Sequence, residues 1–184
     1  MASTTSRKKN FFKIVILGDS GVGKTTLLQQ YVNGQINPNS KPTIGADFSK
    51  KDVIIDDQLV TLQIWDTAGQ EKFQSLGYAF YRGADCCCLV YDITQAVTLE
   101  NLDRWKRGFL DNCGTSTEAF PLVCLGNKLD QESERQVPTA EGEEWARQNQ
   151  NMPFYETSAV NGDNVNEVFI QMARQALTRE KPQL

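Results

Sequence analysis

Phe11-Phe12-Lys13-Ile14-Val15-Ile16-Leu17-Gly18-Asp19-Ser20-Gly21-Val22-Gly23-Lys24-Thr25-Thr26 is the stretch that decides the fold. An apolar run of strand length enters the pattern G-x-x-x-x-G-K-[ST], and Leu27, Leu28 and Tyr31 leave it at helical spacing. Glycine lets the backbone turn tightly enough to aim successive N–H groups at one anion. Gly18, Asp19, Ser20, Gly21, Val22 and Gly23 therefore read as a phosphate-binding loop. Lys24 supplies a point charge for β- and γ-phosphates, the Thr25 hydroxyl can ligate magnesium, and Thr26 completes the nucleotide-binding run.

The remaining chain is compatible with a compact enzyme. Its 184 residues, 40% hydrophobic and 23% charged, suit one globular domain over residues 1–184. A net charge of −4 lacks the basic face of a nucleic-acid binder. The short run Ser6-Arg7-Lys8-Lys9 belongs to an expected flexible tail over residues 1–10. No apolar run reaches the length of a membrane span, and residues 1–10 contain no signal-peptide core, so a soluble intracellular chain is expected. Cys86, Cys87 and Cys88 are consecutive in an apolar strand, Cys124 lies in another, and Cys113 sits near a helix end. Without a C-x-x-C pair or any histidine they do not build a zinc site and read as small buried hydrophobes.

Apolar runs alternate with helical patterns throughout, the mark of a mainly parallel α/β sheet. A helix is expected from about Lys24 to Val32, followed by a polar loop over 34–42 that cannot order itself by burial. The turn at Asp56-Asp57 should join two antiparallel strands, with Leu59, Thr61, Gln63 and Trp65 on one face and Val60, Leu62 and Ile64 on the other. Further strands are expected over Cys86 to Tyr91, Leu122 to Gly126 and Phe154 to Glu156. A last helix carries the stripe Val165, Val168, Phe169, Met172, Ala173, Ala176 and Leu177, with Asn164 and Glu167 as a capping pair.

Two more motifs sit at strand ends. In Trp65-Asp66-Thr67-Ala68-Gly69-Gln70, Asp66 suits contact with magnesium through water. The Gly69 N–H can approach a γ-phosphate, and Gln70, both donor and acceptor, can orient a water for in-line attack. Asn127-Lys128-Leu129-Asp130 follows a later strand at the edge where doubly wound sheets bind ligands. Asp130 only accepts, and guanine presents N1–H and a 2-amino group side by side where adenine presents a lone pair. The base is then guanine, and the nucleotide GTP or GDP.

These motifs resemble those of Ras-superfamily small GTPases of the Rab family, nearly end to end. Ile44-Gly45-Ala46-Asp47-Phe48, the Trp65 motif and Tyr81-Arg82-Gly83-Ala84 carry the likeness, which is nearest to the late-endosomal branch. The resemblance implies a P-loop NTPase fold: a six-stranded mostly parallel sheet with one antiparallel strand, flanked by five helices. It implies magnesium-dependent binding of GTP and GDP, slow GTP hydrolysis, and control of late endosomal, lysosomal or phagosomal traffic. By the same resemblance Thr43 joins Thr25 and Asp66 around magnesium, Lys24, Thr43 and Gln70 are catalytic, and Ile44, Phe48, Trp65 and Phe80 face effectors. Ser158, Ala159 and Val160 fall at the third guanine contact. The partners implied are an exchange factor, an activating protein, effectors and a GDP-dissociation inhibitor or escort protein, acting on a monomer. No arginine precedes Thr43 in its loop to act in cis, and one supplied in trans is worth on the order of 10³–10⁵ in rate, a range taken from Ras and its relatives.

The chain departs from that family around the base. Val160 stands where relatives carry a lysine whose stem packs on guanine. Ile36 stands where a phenylalanine stacks across the base, and Ser40 where an aromatic covers the nucleotide. Each lost stacking contact is worth roughly 1–3 kcal/mol, so faster nucleotide release is expected. The sequence also stops at Leu184 without the prenylated cysteines of a Rab tail, which is expected to reflect truncation. A nucleotide-holding module without turnover is the competing reading, disfavoured by the presence of Gln70, Thr43 and Asp66. A phosphate-loop kinase or ATPase is disfavoured by Asp130.

Overall fold

The computed structural model describes residues 10–39, 41, 43, 46–69 and 74–180. Of the residues singled out above, Ser40, Ile44, Gly45, Gln70 and Leu184 lie outside the described residues, as does the expected N-terminal tail up to residue 9. Asn10 already belongs to the sheet edge, where its carbonyl accepts from the Thr61 N–H at 2.8 Å.

Six strands form one sheet: β1 (Phe11–Leu17), β2 (Ala46–Ile55), β3 (Gln58–Thr67), β4 (Cys86–Asp92), β5 (Leu122–Asn127) and β6 (Phe154–Thr157). Their order is β2-β3-β1-β4-β5-β6, and only β2 runs antiparallel to its neighbour. The β2–β3 hairpin closes on Asp56 and Asp57, at φ 48° and 64°, with Ile55 opposite Gln58. Two consecutive left-handed residues match the right-handed twist of the flanking strands. Along β3, Val60, Leu62 and Ile64 are buried while Thr61, Gln63 and Trp65 alternate with them half-buried, as the period of two requires.

Helices cover both faces. α1 (Lys24–Asn33) and α6 (Val165–Glu180) lie over one, where Ile14, Ile16, Leu62 and Ile64 meet Leu27, Phe169 and Met172. The Tyr31 ring stacks on Phe169 with centroids 3.9 Å apart. α2 (Gln74–Tyr81), α3 (Ala96–Glu100), α4 (Leu102–Asn112) and α5 (Thr139–Gln148) accompany the other face, where Val15, Leu17 and Leu89 meet Trp105 and Phe109. β4, covered on both sides, is buried at every residue and so carries an unbroken apolar run rather than an alternation. Its three cysteines, with Cys113 and Cys124, are free thiols within these layers.

α3 and α4 meet at Asn101, whose φ of −69° and ψ of −14° are helical; six α-helices stand among the described residues, one more than the five expected. A short 3₁₀ segment over Leu129–Glu134 follows the Asn127 motif. The Asn164–Glu167 capping pair is corrected: Asn164 adopts φ 58°, and its side-chain amide donates to the Glu156 carbonyl at 2.8 Å. Asn164 therefore ties the start of α6 to β6. The positive φ is incompatible with the extended backbone of an ordinary N-cap.

Candidate functional site

Parallel strands deliver their carboxyl ends to one edge, and the loops leaving β1, β3, β5 and β6 meet there. The loop after β1 is packed so closely that glycines within it and against it leave no room for a Cβ. Gly23 has φ 100°, and a Cβ on it would stand 2.3 Å from Asn127 Nδ2. A Cβ on Gly69, at the end of the β3 loop, would stand 2.5 Å from Lys24 Nζ and 2.4 Å from the Ser20 nitrogen. Both glycines leave space for backbone and lysine to converge, and the Ser20 N–H donates to the Gly69 carbonyl at 2.8 Å.

Lys24 is buried in the cradle, its Nζ donating to the carbonyls of Gly18 (2.8 Å) and Asp19 (2.9 Å). Burial lowers its pKa from 10.5 to about 8, with Asp66 and Asp19 opposing the shift. A buried ammonium held by neutral carbonyls is undercompensated, and a phosphate is its natural partner. An open cleft of about 330 Å³ lies over it, lined by Ser20, Thr25, Thr26, Lys41, Thr43 and Lys128 among others. A larger cleft of about 840 Å³ lies at the opposite, amino end of β5 and β6, far from these groups.

Three side chains converge beside Lys24. The Thr25 and Thr43 hydroxyls lie 3.1 Å apart, and both reach Asp66 Oδ2, at 2.5 and 3.3 Å. Asp66 is 1% exposed and its Oδ1 has no hydrogen-bond partner among the described residues. Burial raises its pKa, against the opposing pull of Thr25, Lys24 and Thr43. A buried carboxylate oxygen without a donor, beside two hydroxyls, fits a hard cation bound through oxygen and water. These three residues would hold magnesium.

The base-side residues form a second network. Asn127 is buried at the end of β5, its Nδ2 donating to the Val22 carbonyl at 2.9 Å. Its Oδ1 accepts from Thr157 Oγ1 at 3.0 Å and from the Ala159 N–H at 3.3 Å. One side chain thereby joins the phosphate loop to the loop after β6. Asp130 accepts from Ser158 Oγ at 2.7 Å, and Ser158 Oγ in turn accepts from the Asn161 N–H at 3.0 Å. Lys128, in the left-handed region at φ 72°, places its Nζ 2.8 Å from Asp92 Oδ2. Ile36 is half-buried on its loop, whereas Val160 is 59% exposed. On the hairpin side Phe48, Trp65 and Phe80 form a row with centroids 5.2 and 5.1 Å apart, and Phe48 is 45% exposed.

The structure thus brings together Lys24, Thr25, Thr43, Asp66 and Gly69, and separately Asn127, Asp130, Ser158 and Ala159. Two side chains of these networks were not singled out in the sequence. Asp92 and Thr157 act through contacts across the sheet, with Lys128 and Asn127. A carboxylate closing the apolar run Cys86-Cys87-Cys88-Leu89-Val90-Tyr91-Asp92 was the one visible signal, since Asp92 is the direct neighbour of Asn127 in the β4–β5 register.

Comparison with known proteins agrees with this geometry. The family model described as "Ras family" matches residues 13–178. The Ras-related protein Rab-7a of Dictyostelium discoideum is 52% identical over 176 residues, which is 95% of this chain and 87% of that protein. The Ras-related protein Rab-7b of Paramecium octaurelia is 52% identical over 177 residues, 96% of this chain and 86% of that one. The Ras-related protein Rab7 of Drosophila melanogaster is 51% identical over 177 residues, 96% and 85% of the two chains. Because the match runs from within β1 almost to the end of α6, the chain belongs to the Ras family, as a small GTPase of the Rab type.

Proposed function

We propose that Lys24, Thr43 and Gln70 are the residues on which GTP hydrolysis depends, and that Thr25, Thr43 and Asp66 hold the magnesium. As a Ras-family small GTPase the chain binds GTP and GDP with magnesium, hydrolyses GTP and regulates vesicle traffic. The observation that supports the residue roles is the convergence of the Thr25 and Thr43 hydroxyls on Asp66 Oδ2, with Oδ1 buried and unpartnered.

Magnesium, when bound, draws charge from the phosphate oxygens. Lys24 presents its ammonium to the same oxygens from the floor of the loop, and Gly69 brings backbone close without a side chain in the way. Thr43 sits on the long loop before β2 and reaches Thr25 and Asp66 through its hydroxyl, so the loop's position follows the state of this cluster. Gln70 orients the attacking water by donating and accepting together. Asn127 and Asp130 select guanine.

The finer assignments follow the resemblance to Rab proteins. An exchange factor, an activating protein, effectors on Ile44, Phe48, Trp65 and Phe80, and a GDP-dissociation inhibitor or escort protein are the proposed partners of a monomeric switch. The cytosolic face of late endosomes, lysosomes or phagosomes is the proposed site of action. Among the described residues no helix is long and apolar enough to cross a membrane. The magnesium assignment is tested by the effect of chelation on GDP release. Chelation should speed release from the wild type by roughly tenfold or more and change Asp66→Asn far less. Equal acceleration in both proteins contradicts the role of Asp66.

A further inference from the structure

We propose that Asp19 is a positioning residue, clamped to α4 by Trp105 and Asn101, and that this clamp sets how long the phosphate loop retains its nucleotide. The inference rests on the reading of residues 18–25 as the phosphate loop. Asp19 is the second residue of that loop, and a carboxylate there is adverse to a polyphosphate bound a few ångströms away. The structure turns it aside. Asp19 Oδ1 accepts from the Trp105 indole Nε1–H at 2.8 Å, and Oδ2 accepts from Asn101 Nδ2 at 2.6 Å. The Arg104 guanidinium stands 3.6 Å from Oδ1, and the Asp19 side chain is only 16% exposed.

Asn101, Arg104 and Trp105 are spaced three and four apart, so they line one side of a helical turn that faces the loop. Trp105 is fully buried in the core layer, which fixes the direction of its N–H, and a buried indole N–H requires an acceptor. Asp19 is that acceptor. Its carboxylate is therefore anchored to the rigid layer of Trp105, Phe109 and Tyr81, the last two with ring centroids 5.3 Å apart.

The clamp completes a three-point mounting. Gly18 lies against β4, where a Cβ would stand 2.2 Å from the Val90 carbonyl oxygen. Val22 is held through its carbonyl by Asn127. Asp19 is the anchor that ties the loop to a helix, and its backbone carbonyl also receives Lys24. A loop mounted in this way presents its N–H groups already ordered, whereas a loosened one must be ordered each time phosphate binds.

The test is release of fluorescent GDP in magnesium, chased with excess unlabelled GDP, for the full chain and four variants. Trp105→Phe removes the indole N–H together with part of a fully buried ring, a packing loss that the double variant below separates from the hydrogen bond, and Asp19→Ala deletes the carboxylate. Each should speed release by roughly 5- to 20-fold, the scale of a charge-assisted hydrogen bond partly lost. Asp19→Asn keeps an acceptor for Trp105 and, with the Asn101 amide turned over, a second bond, so it should recover most of the residence time lost in Asp19→Ala. The double variant Asp19→Ala/Trp105→Phe should release no faster than Asp19→Ala alone, a non-additivity that a merely structural loss does not produce. Release from Trp105→Phe and Asp19→Ala at the wild-type rate, with the wild type retaining GDP, overturns the clamp. A wild type that retains no GDP overturns the reading of the loop, and the clamp with it. If Asp19→Ala does not fold, Trp105→Phe decides the matter alone.

Discussion

Ser158 Oγ donates to Asp130 Oδ1 at 2.7 Å, so the loop after β6 fixes the plane in which the Asp130 carboxylate meets a base. The carboxylate can only accept, and guanine offers two adjacent donors. Asp130→Asn replaces one acceptor by an amide donor, which faces the donors of guanine and suits the 2-carbonyl of xanthine. GTP affinity should fall by about 10⁴-fold, with recovery on xanthosine triphosphate. Competition binding with the two nucleotides checks this, and unchanged preference for GTP counts against Asp130 as the base reader.

Lys24 should make nucleotide binding sensitive to alkaline pH. Its pKa without nucleotide is lowered by burial to about 8. Below that pH the ammonium is charged with or without phosphate, and affinity is flat. Phosphate raises the pKa, so above pH 8 binding takes up a proton and affinity falls, by up to about tenfold per pH unit. The nucleotide-free protein behaves oppositely. Its unfolded lysine keeps a proton, up to the ordinary value of 10.5, that the folded one has lost, so this group adds stability as pH rises through that window. Calorimetry of GDP binding in two buffers of different ionisation enthalpy at pH 8.5 should register the proton. Equal heats in the two buffers contradict a lowered Lys24 pKa.

Tyr91 and Gly142 are matched in the core away from the nucleotide. The Tyr91 hydroxyl is buried without a hydrogen-bond partner among the described residues, and a Cβ on Gly142 would stand 2.1 Å from it and 2.8 Å from the Phe154 ring. Tyr91→Phe should stabilise the fold by about 1 kcal/mol, because it removes an unsatisfied buried oxygen. Gly142→Ala should destabilise by roughly 1–3 kcal/mol through overpacking, although alanine favours helix. Tyr91→Phe should recover part of that loss, since Phe154 still crowds the site. Chemical denaturation of the two single variants and the double variant measures the coupling, and simple additivity contradicts the contact.

Release of GDP should respond to the exposed Val160. Its side chain is 59% exposed in the loop after β6, at the position where the resemblance to Rab proteins implies a lysine stem packed on guanine. Val160→Lys should slow GDP release by roughly 5- to 100-fold, the equivalent of one stacking contact. Ile36→Phe should act in the same direction. If both variants release at the wild-type rate, the pocket around the base has repacked and an exchange factor controls loading.

The legibility of this chain in its sequence tracks how local each determinant is. The phosphate loop, the Asp56–Asp57 hairpin and the α6 stripe are set by neighbours in the chain, and each lies where its pattern places it. The same holds for Asn127 and Asp130, which stand at a strand end in one short motif. Asp19 is different: its role comes from an indole 86 residues away, a pairing that no periodicity or spacing announces. The Asp92–Lys128 ion pair likewise depends on β4 and β5 being neighbours. Asn164 misled because an asparagine three residues before a glutamate reads as a cap unless its backbone angle is known. Asn101 separates α3 from α4 while keeping helical angles, so no breaker residue marks the joint.

Inorganic phosphate released from GTP in a single turnover, in magnesium, for the wild type and Gln70→Leu, tests the switch at its centre. Leucine keeps the size of the side chain and removes both the donor and the acceptor that hold the water. The wild type should release phosphate slowly but measurably, and Gln70→Leu should fall by about tenfold or more while GDP binding stays intact. Identical near-zero traces from the two proteins would contradict a cycling GTPase and leave a module that holds nucleotide without turning it over.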